Sequence, residues 1–447
     1  MILPPEAASL LSALTPAFTQ PTAARFTTLL AGTLLTTGRR TVANVLRTLG
    51  HLAPGHRTTY QRVLSHAPWS ALELGCVLAA FIFRRLIPTG PIVLVGDDTV
   101  DGHKGEHVYG KARHRDAVRS THSFTAWRYG HKWVVLAVLV KFPFAARRWA
   151  LPILVDLYRS PDLDKRQKRS HRTPAQLMCR LLRLLLIRFP DRTFIFVGDG
   201  GYGSHEVARF CHRHRPRLTL VSKFHPEANL FDPPAAYRGK GRPPVKGRRR
   251  PKPRVAVAAV AKTKRQPLTV DWYGGGTRRV GVVSQSAHWF KSGHGLVPVC
   301  WVFVEDQTGS HREEYLFTTD VSLSSAVIIG LYCGRWNIET TFQELRSCLG
   351  LESTRGWCQQ TVLRAAPCLF GLYSMVALMF HGLPKAKRSG VVWWPGKATV
   401  SFSDALTGIR RWLWVEGIFQ QGGAKAGIEK LPKRMRELLL TALAPAA

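Results

Sequence analysis

Two stretches of this chain share one grammar. Ile92-Val93-Leu94-Val95 runs into Gly96-Asp97-Asp98-Thr99, and Thr193-Phe194-Ile195-Phe196-Val197 runs into Gly198-Asp199-Gly200. A continuous run of β-branched and aromatic residues, punctuated by glycine, predicts a strand buried on both faces, and therefore a sheet covered by helices in an α/β fold. Each run ends in a carboxylate, at the point where a buried strand empties into a site.

A third carboxylate sits in a different context. From Leu331 to Leu349 the apolar residues Leu331, Ile338, Phe342, Leu345 and Leu349 repeat with helical spacing and predict one buried face. At about 100° per residue, with Tyr332 at zero, Arg335 lies near 300°, Glu339 near 340° and Arg346 near 320°, so the polar residues share a neighbouring stripe. A carboxylate between two guanidiniums and a phenol suits a metal ion beside a phosphate. A surface helix with an ordinary Arg-to-Glu pair four residues apart is the alternative.

Charge supplies the substrate class. Lys and Arg number 64 against 28 Asp and Glu, a net charge of +36, which implies a polyanionic partner. The basic residues run along the whole chain, so many phosphate contacts and a steep salt dependence are expected. No basic amphipathic helix with a clean apolar face favours a membrane surface. The most apolar segment, Ala365 to Phe380, contains Pro367 and is read as a buried helix too short to span a bilayer. Met1 to Leu14 lacks the pattern of a signal peptide, and the eight cysteines show no CxxC pair, which fits reduced thiols in a cytoplasm. Cys211-His212-Arg213-His214 lacks a second half with metal-ligand spacing.

Along the chain, residues 1–88 read as helices over Ala7 to Phe18, Ala24 to Leu35, Val42 to Leu49 and Ala71 to Phe83. The basic, hydroxyl-bearing starts at Gly38-Arg39-Arg40-Thr41 and Gly55-His56-Arg57-Thr58 fit either a helix-turn-helix or a helical bundle with basic edges. Strands are expected at Ser123 to Arg128, Trp133 to Val140 and Ala150 to Asp156, with a helix from Pro174 to Phe189. From Ser204 to Leu323 the pattern becomes β-rich, with strands predicted at Arg254 to Ala261, Leu268 to Tyr273, Arg278 to Ser284 and Val297 to Val304 forming a small antiparallel sheet. That stretch also holds the basic run from Arg238 to Arg254. A second apolar helix from Thr361 to Met379 and a basic tail with one or two helices follow.

The series Tyr332, Arg335, Glu339 and Arg346, followed by Leu349-Gly350-Leu351 and Arg355, resembles the tyrosine-arginine-glutamate-lysine signature of DDE transposases from bacterial insertion sequences. Asp97-Asp98-Thr99 and Gly198-Asp199-Gly200 resemble the first and second aspartate motifs of that family. The resemblance covers about residues 35 to 380. It implies an RNase H-like catalytic core at 89–203 and 324–385, a β-rich insertion with a basic loop at 204–323, an N-terminal helical DNA-binding domain at 1–88 and a basic helical tail at 386–447. It also implies that Asp98, Asp199 and Glu339 bind two Mg2+ ions, for which Mn2+ can substitute, while Tyr332, Arg335 and Arg346 hold DNA phosphates. Arg346 stands where the family has lysine, keeping the charge and adding a fork suited to phosphate.

Asp97 and Asp98 point to opposite faces of any strand. Asp98, directly before Thr99 as in the family, is favoured as the first ligand; the alternative makes Asp97 the ligand. The implied function is cleavage of element ends and transfer of their 3′ hydroxyls into target DNA, by a homodimer in a synaptic complex on terminal inverted repeats, at the bacterial nucleoid in the cytoplasm. An RNase H-like nuclease that cuts without joining, or a non-catalytic DNA-binding protein, are the alternatives. Lys240, Arg242, Arg248, Arg249 and Arg250 are further DNA-binding candidates, as a minor-groove hook or as a loop gripping phosphates. Trp272, Trp289 and Trp301 fit core packing or stacking on a flipped base. His131, Lys132 and Trp133 fit DNA contact or a basic loop.

Overall fold

The computed structural model describes residues 4–116, 120–236, 239, 241–385, 388, 395–420 and 422–445. Five helices come first: α1 (Pro5–Ser12), α2 (Gln20–Leu35), α3 (Val42–Leu49), α4 (Arg57–Ser65) and α5 (Ala71–Leu86). Then follow β1 (Ile92–Gly102), β2 (Ala112–Arg115), β3 (Trp127–Lys141), β4 (Arg148–Tyr158), α6 (Pro161–Arg166), α7 (Pro174–Arg188), β5 (Phe194–Gly198), α8 (His205–Arg213) and β6 (Leu218–Lys223). The next segment holds β7 (Leu230–Phe231), α9 (Pro253–Ala258), β8 (Gln266–Asp271), β9 (Thr277–Lys291), β10 (Gly295–Asp306) and β11 (Glu314–Thr318). Helices close the chain: α10 (Ser325–Arg335), α11 (Asn337–Leu349), α12 (Gln359–Gly382), α13 (Phe402–Trp412) running into a π-helical stretch (Leu413–Phe419), α14 (Lys425–Glu429) and α15 (Lys433–Leu443).

The strands form one sheet in the order β2-β3-β1-β5-β6-β11-β10-β9-β7, with β4 also on β3 and β8 also on β9. β1, β3 and β4 are antiparallel, whereas β5 lies parallel to β1 and β6 parallel to β5. Three antiparallel strands followed by two parallel ones, with helices on both faces, is the RNase H-like arrangement expected of the core. Pairing of β11 with β6 carries the same sheet onward into β8–β11. The strands expected as a small separate sheet therefore extend the main one.

Local chemistry explains two departures from expectation. Residues 120–126 are not a strand, because Ser120 and Thr121 hydroxyls bond Asp116 O, Ala126 N and Phe124 N and so compete with a ladder; β3 starts at Trp127. The expected strand at Arg254 to Ala261 contains the helix α9, whose Pro253 at the first turn has no N–H to leave unpaired. Its buried residues are Pro253, Ala256 and Val257, a helical rather than an alternating spacing.

Several helices begin on hydroxyls and several end on guanidiniums. Thr41, Ser70, Thr173, Ser204, Ser324 and Ser401 each accept a backbone N–H at a helix start. At the other ends, Arg410 donates to Leu34 O, Arg364 to Leu64 O, Arg217 to Leu186 O and Arg40 to Cys348 O, satisfying carbonyls that a helix leaves without partners. The N-terminal helices do not stand apart: α4 packs on α12, α2 on α13 and α5 on β4. α12 is long and apolar enough to cross a membrane, but its residues from Leu372 to Phe380 are all buried inside the protein, so it serves as a central core helix.

Where β1 meets β3, Gly102 pairs with Gly130, and a Cβ built on Gly130 would lie 1.6 Å from Asp101 O. No side chain fits there without parting the strands. Gly130→Ala should lower stability by about 1–3 kcal/mol, the usual cost of overpacking. Gly276→Ala, where a Cβ meets nothing within 4 Å, should leave thermal unfolding unchanged. Equal melting temperatures for the two variants would refute this account of the strand pair.

Candidate active site

The β1–β5 register places the first two carboxylates. Ile92 pairs with Phe194 and each later residue follows at the same offset to Gly96 with Gly198, so the next positions in line are Asp97 and Asp199. Parallel neighbours lie about 4.8 Å apart and paired residues face the same side of a sheet. Asp97 is thus the aspartate in line with Asp199. Asp98 belongs to the other face, the one on which Gly96 touches Met178 of α7, and there its carboxylate pairs with Lys132 Nζ at 2.9 Å. The Asp98 backbone N–H, however, turns back to donate to Asp97 Oδ1 at 2.8 Å and fixes that carboxylate. Asp199 is held by its own turn: Oδ1 accepts Gly201 N–H at 2.9 Å, and its carbonyl accepts the Ser222 hydroxyl at 2.7 Å.

The third carboxylate arrives from the helical side. The segment expected as one helix is two, α10 and α11, with Trp336 at the junction and its indole 46% exposed. The last residue of α10, Arg335, reaches β1: Nη1 donates to Asp97 Oδ2 at 2.8 Å while Nη2 donates to Glu339 Oε1 at 2.9 Å. One guanidinium therefore bridges the carboxylates of β1 and α11. It is itself 8% exposed, so the neutralisation occurs out of bulk water, where it is strong.

Burial decides the titration of Asp97. Desolvation pushes its pKa up to about 7, Arg335 opposes the rise, and the charges of Asp199 and Asp98 add to it. Burial raises Asp98 as well, against the pull of Lys132, and the charge of Asp199 adds to the rise. Arg335 is pushed upward: burial lowers it, but Asp97, Tyr332 and Glu339 together outweigh that. Tyr202, buried among the three aspartates, has a hydroxyl with no hydrogen-bond partner. Carboxylate oxygens are the donors that a hard divalent cation takes, and here Arg335 supplies the positive charge between Asp97 and Glu339. The residues present fit a hard metal ion.

The remaining expected residues divide. Tyr332 is 3% exposed, its ring lying between Lys223 Nζ at 5.9 Å and the Arg335 guanidinium at 5.8 Å. Arg346 bonds Thr99 Oγ1 and approaches Glu352 at 3.4 Å, so it braces β1 in this state. Lys240 lies outside the described residues, whereas Arg242, Arg248, Arg249 and Arg250 are exposed and remote from the carboxylates in sequence and sheet order. Arg250 is tied to Asp232 and to Ser286 O. Of the tryptophans, Trp301 is fully buried and Trp289 packs between Phe224 and Phe317. His131 and Trp133, 1% and 0% exposed, are strand residues bonded to Asp101 and not a DNA-contacting loop. Lys132, a DNA-contact candidate from the sequence, instead pairs with Asp98, while sequence reasoning missed Lys223 as a neighbour of the site and Trp336 as its exposed aromatic. Trp336 lies off the apolar stripe of its own segment, and that was the available signal.

A family model described as DDE superfamily endonuclease matches residues 13–279, more than half of the chain, and takes in Asp97, Asp98 and Asp199. No curated protein matches. Among solved structures, a piggyBac transposase synaptic complex with hairpin DNA, determined by cryo-EM, aligns at 11% identity with a TM-score of 0.42, covering 96% of this chain and 77% of that one. The matched length settles the family: the chain belongs to the DDE superfamily endonucleases, enzymes whose catalysis depends on metal ions.

Proposed function

We propose that this enzyme is the transposase of an insertion sequence, cutting the ends of its own element and joining the freed 3′ hydroxyls to target DNA, with Asp97, Asp199 and Glu339 as the metal ligands. The observation that carries the reading is the alignment of Asp97 with Asp199 across β1 and β5, with Arg335 linking Asp97 to Glu339. On this reading Asp97 is the first ligand in place of the Asp98 favoured from sequence, and Asp98 supports it through its backbone N–H and its pairing with Lys132. Two magnesium ions, or manganese in their place, would there activate a water or 3′ hydroxyl and stabilise the leaving oxygen.

The chain's own residues do the rest. Arg335 neutralises two carboxylates in the metal-free state; freed from them, its fork is placed to bind the phosphate at the cut. Tyr332 and Arg346 line the same stripe, and Lys223 stands over the Tyr332 ring. Synapsis of two element ends by a homodimer would use the wider basic surface, whose charge excess supports a double-stranded DNA partner.

Two measurements test the assignment. With oligonucleotides copying the inverted repeats that bracket its reading frame, and magnesium present, the wild type should cleave the ends and join precut ends to a plasmid. Asp97→Ala, Asp199→Ala and Glu339→Ala should each lose at least about 10³-fold in cleavage, as removal of a central catalytic group does. Asp98→Asn should retain more activity than Asp97→Asn. The reverse order would restore Asp98 as the ligand, and cleavage without any joined product would leave a nuclease only.

The second uses pH. A buried acid with a pKa near 7, against about 3.9 unfolded, favours folding fully below the unfolded value and loses that contribution as pH rises through 7. In metal-free protein, Asp97→Asn should therefore melt above the wild type at pH 8, and the advantage should shrink between pH 7 and 4. An advantage that does not change with pH would contradict a raised carboxyl.

A further inference from the structure

Beyond the end of the catalytic stretch of β1 lies a second cluster with different chemistry. Asp101, His103 and His131 bring their ligand atoms within 4.8 Å of one another, and Asp101 and His131 are 0% and 1% exposed. Asp101 Oδ2 lies 3.5 Å from His103 Nε2, and Asp101 Oδ1 lies 3.5 Å from His131 Nδ1. Zinc holds nitrogen and oxygen ligands at about 2.0–2.1 Å, which sets ligand atoms about 3.4 Å apart around a tetrahedron. The two nitrogen-to-oxygen spacings are those of ligands sharing one ion.

The hydrogen bonds around the cluster point the same way. His131 Nε2 lies 2.9 Å from the Tyr109 carbonyl, an acceptor only, so Nε2 carries the proton. In the neutral ring the lone pair is then on Nδ1, aimed at a carboxylate oxygen that also has only lone pairs to offer. Asp101 in turn accepts the His131 backbone N–H and the Trp133 indole N–H, both at 3.0 Å. A histidine fixed by a backbone carbonyl and a carboxylate fixed by two donors form the outer support that metal ligands usually have. Two lone pairs facing each other are joined by a proton or by a metal ion between them.

We propose that Asp101, His103 and His131 bind a zinc ion, separate from the ions of the catalytic carboxylates. Two imidazoles and one carboxylate select zinc over magnesium, which prefers oxygen alone. The ion would clamp the segment after β1, from His103 through Tyr109, onto β3. Lys132, the neighbour of His131, holds Asp98, so the clamp would steady the strand that carries the catalytic aspartates. Its role is positional, and magnesium would not replace it.

The test uses the full chain. Purified wild-type protein, and the Asp97→Asn/Glu339→Gln double variant, should each hold one equivalent of zinc by elemental analysis after dialysis in excess magnesium. His103→Ala should hold less than about a tenth of that, with the far-ultraviolet circular dichroism spectrum retained. Cobalt added to metal-stripped wild type should give the intense visible absorption of a four-coordinate nitrogen and oxygen site, and zinc should abolish it. Zinc lost from the double variant and kept in His103→Ala would move the ion to the catalytic carboxylates and overturn the proposal. Zinc-free wild type that also fails to bind cobalt would overturn it too, leaving protonated histidines as the partners of Asp101. Should His103→Ala not fold, the cobalt titration of the wild type still decides.

Discussion

The Arg335 guanidinium lies between Asp97 and Glu339, and the arrangement of the active site depends on it. Two carboxylates drawn from a sheet and a helix, with a third from the next strand, repel one another more strongly the further they are from water. Without a cation the cluster would separate, and Asp97, the most deeply placed, would simply hold its proton. Arg335 can act here because α10 ends at that residue. Four residues on, in the first turn of α11, Glu339 lies within reach of the same fork.

This arrangement makes stability and function oppose each other. A buried carboxyl pushed up to about 7 marks a site that the fold alone does not favour in its charged form. The sheet holds it there through the β1–β5 register and the Asp98 backbone N–H, and the core helix α12 behind β4 supports the sheet. Such strain is expected where oxygen ligands must stand ready for a divalent ion, and less so in a protein that only grips DNA.

Much of this was legible in the sequence. The two apolar runs, their order and the helix carrying Glu339 were all readable, because buried parallel strands and amphipathic helices leave strong periodic patterns. The choice between Asp97 and Asp98 was not, since strand parity depends on which face the helices cover and on the partner strand. One pattern bearing on the proposed assignment was present: each run ends in glycine followed at once by aspartate, so that Gly96-Asp97 matches Gly198-Asp199. The break at Trp336 and the continuation of the sheet from β6 into β11 have no comparable local signal. Both arise from tertiary packing. The cluster of Asp101, His103 and His131 was hidden for the same reason, since a pairing of β1 with β3 unites residues thirty positions apart.

The charge excess, read at first as a single statement about DNA, divides once the arginines are placed. Arg40, from a segment that fitted a DNA-contacting helix start, instead caps α11 at Cys348 O and lines up its backbone N–H with Ser353. Arg410, 2% exposed, closes α2 at Leu34 O, and Arg217, Arg364 and Arg388 close other helices by the same contact to the last-turn carbonyls of Leu186, Leu64 and His381. A guanidinium suits this position because it carries several donors in a plane and its charge opposes the negative end of the helix dipole. These arginines add to the net charge without facing any partner. The positive surface left for DNA is thus smaller than +36 suggests, and it includes the exposed Arg242, Arg248 and Arg249. In a chain of this composition, counting basic residues identifies the partner, but only the hydrogen bonds show which of them are available to meet it.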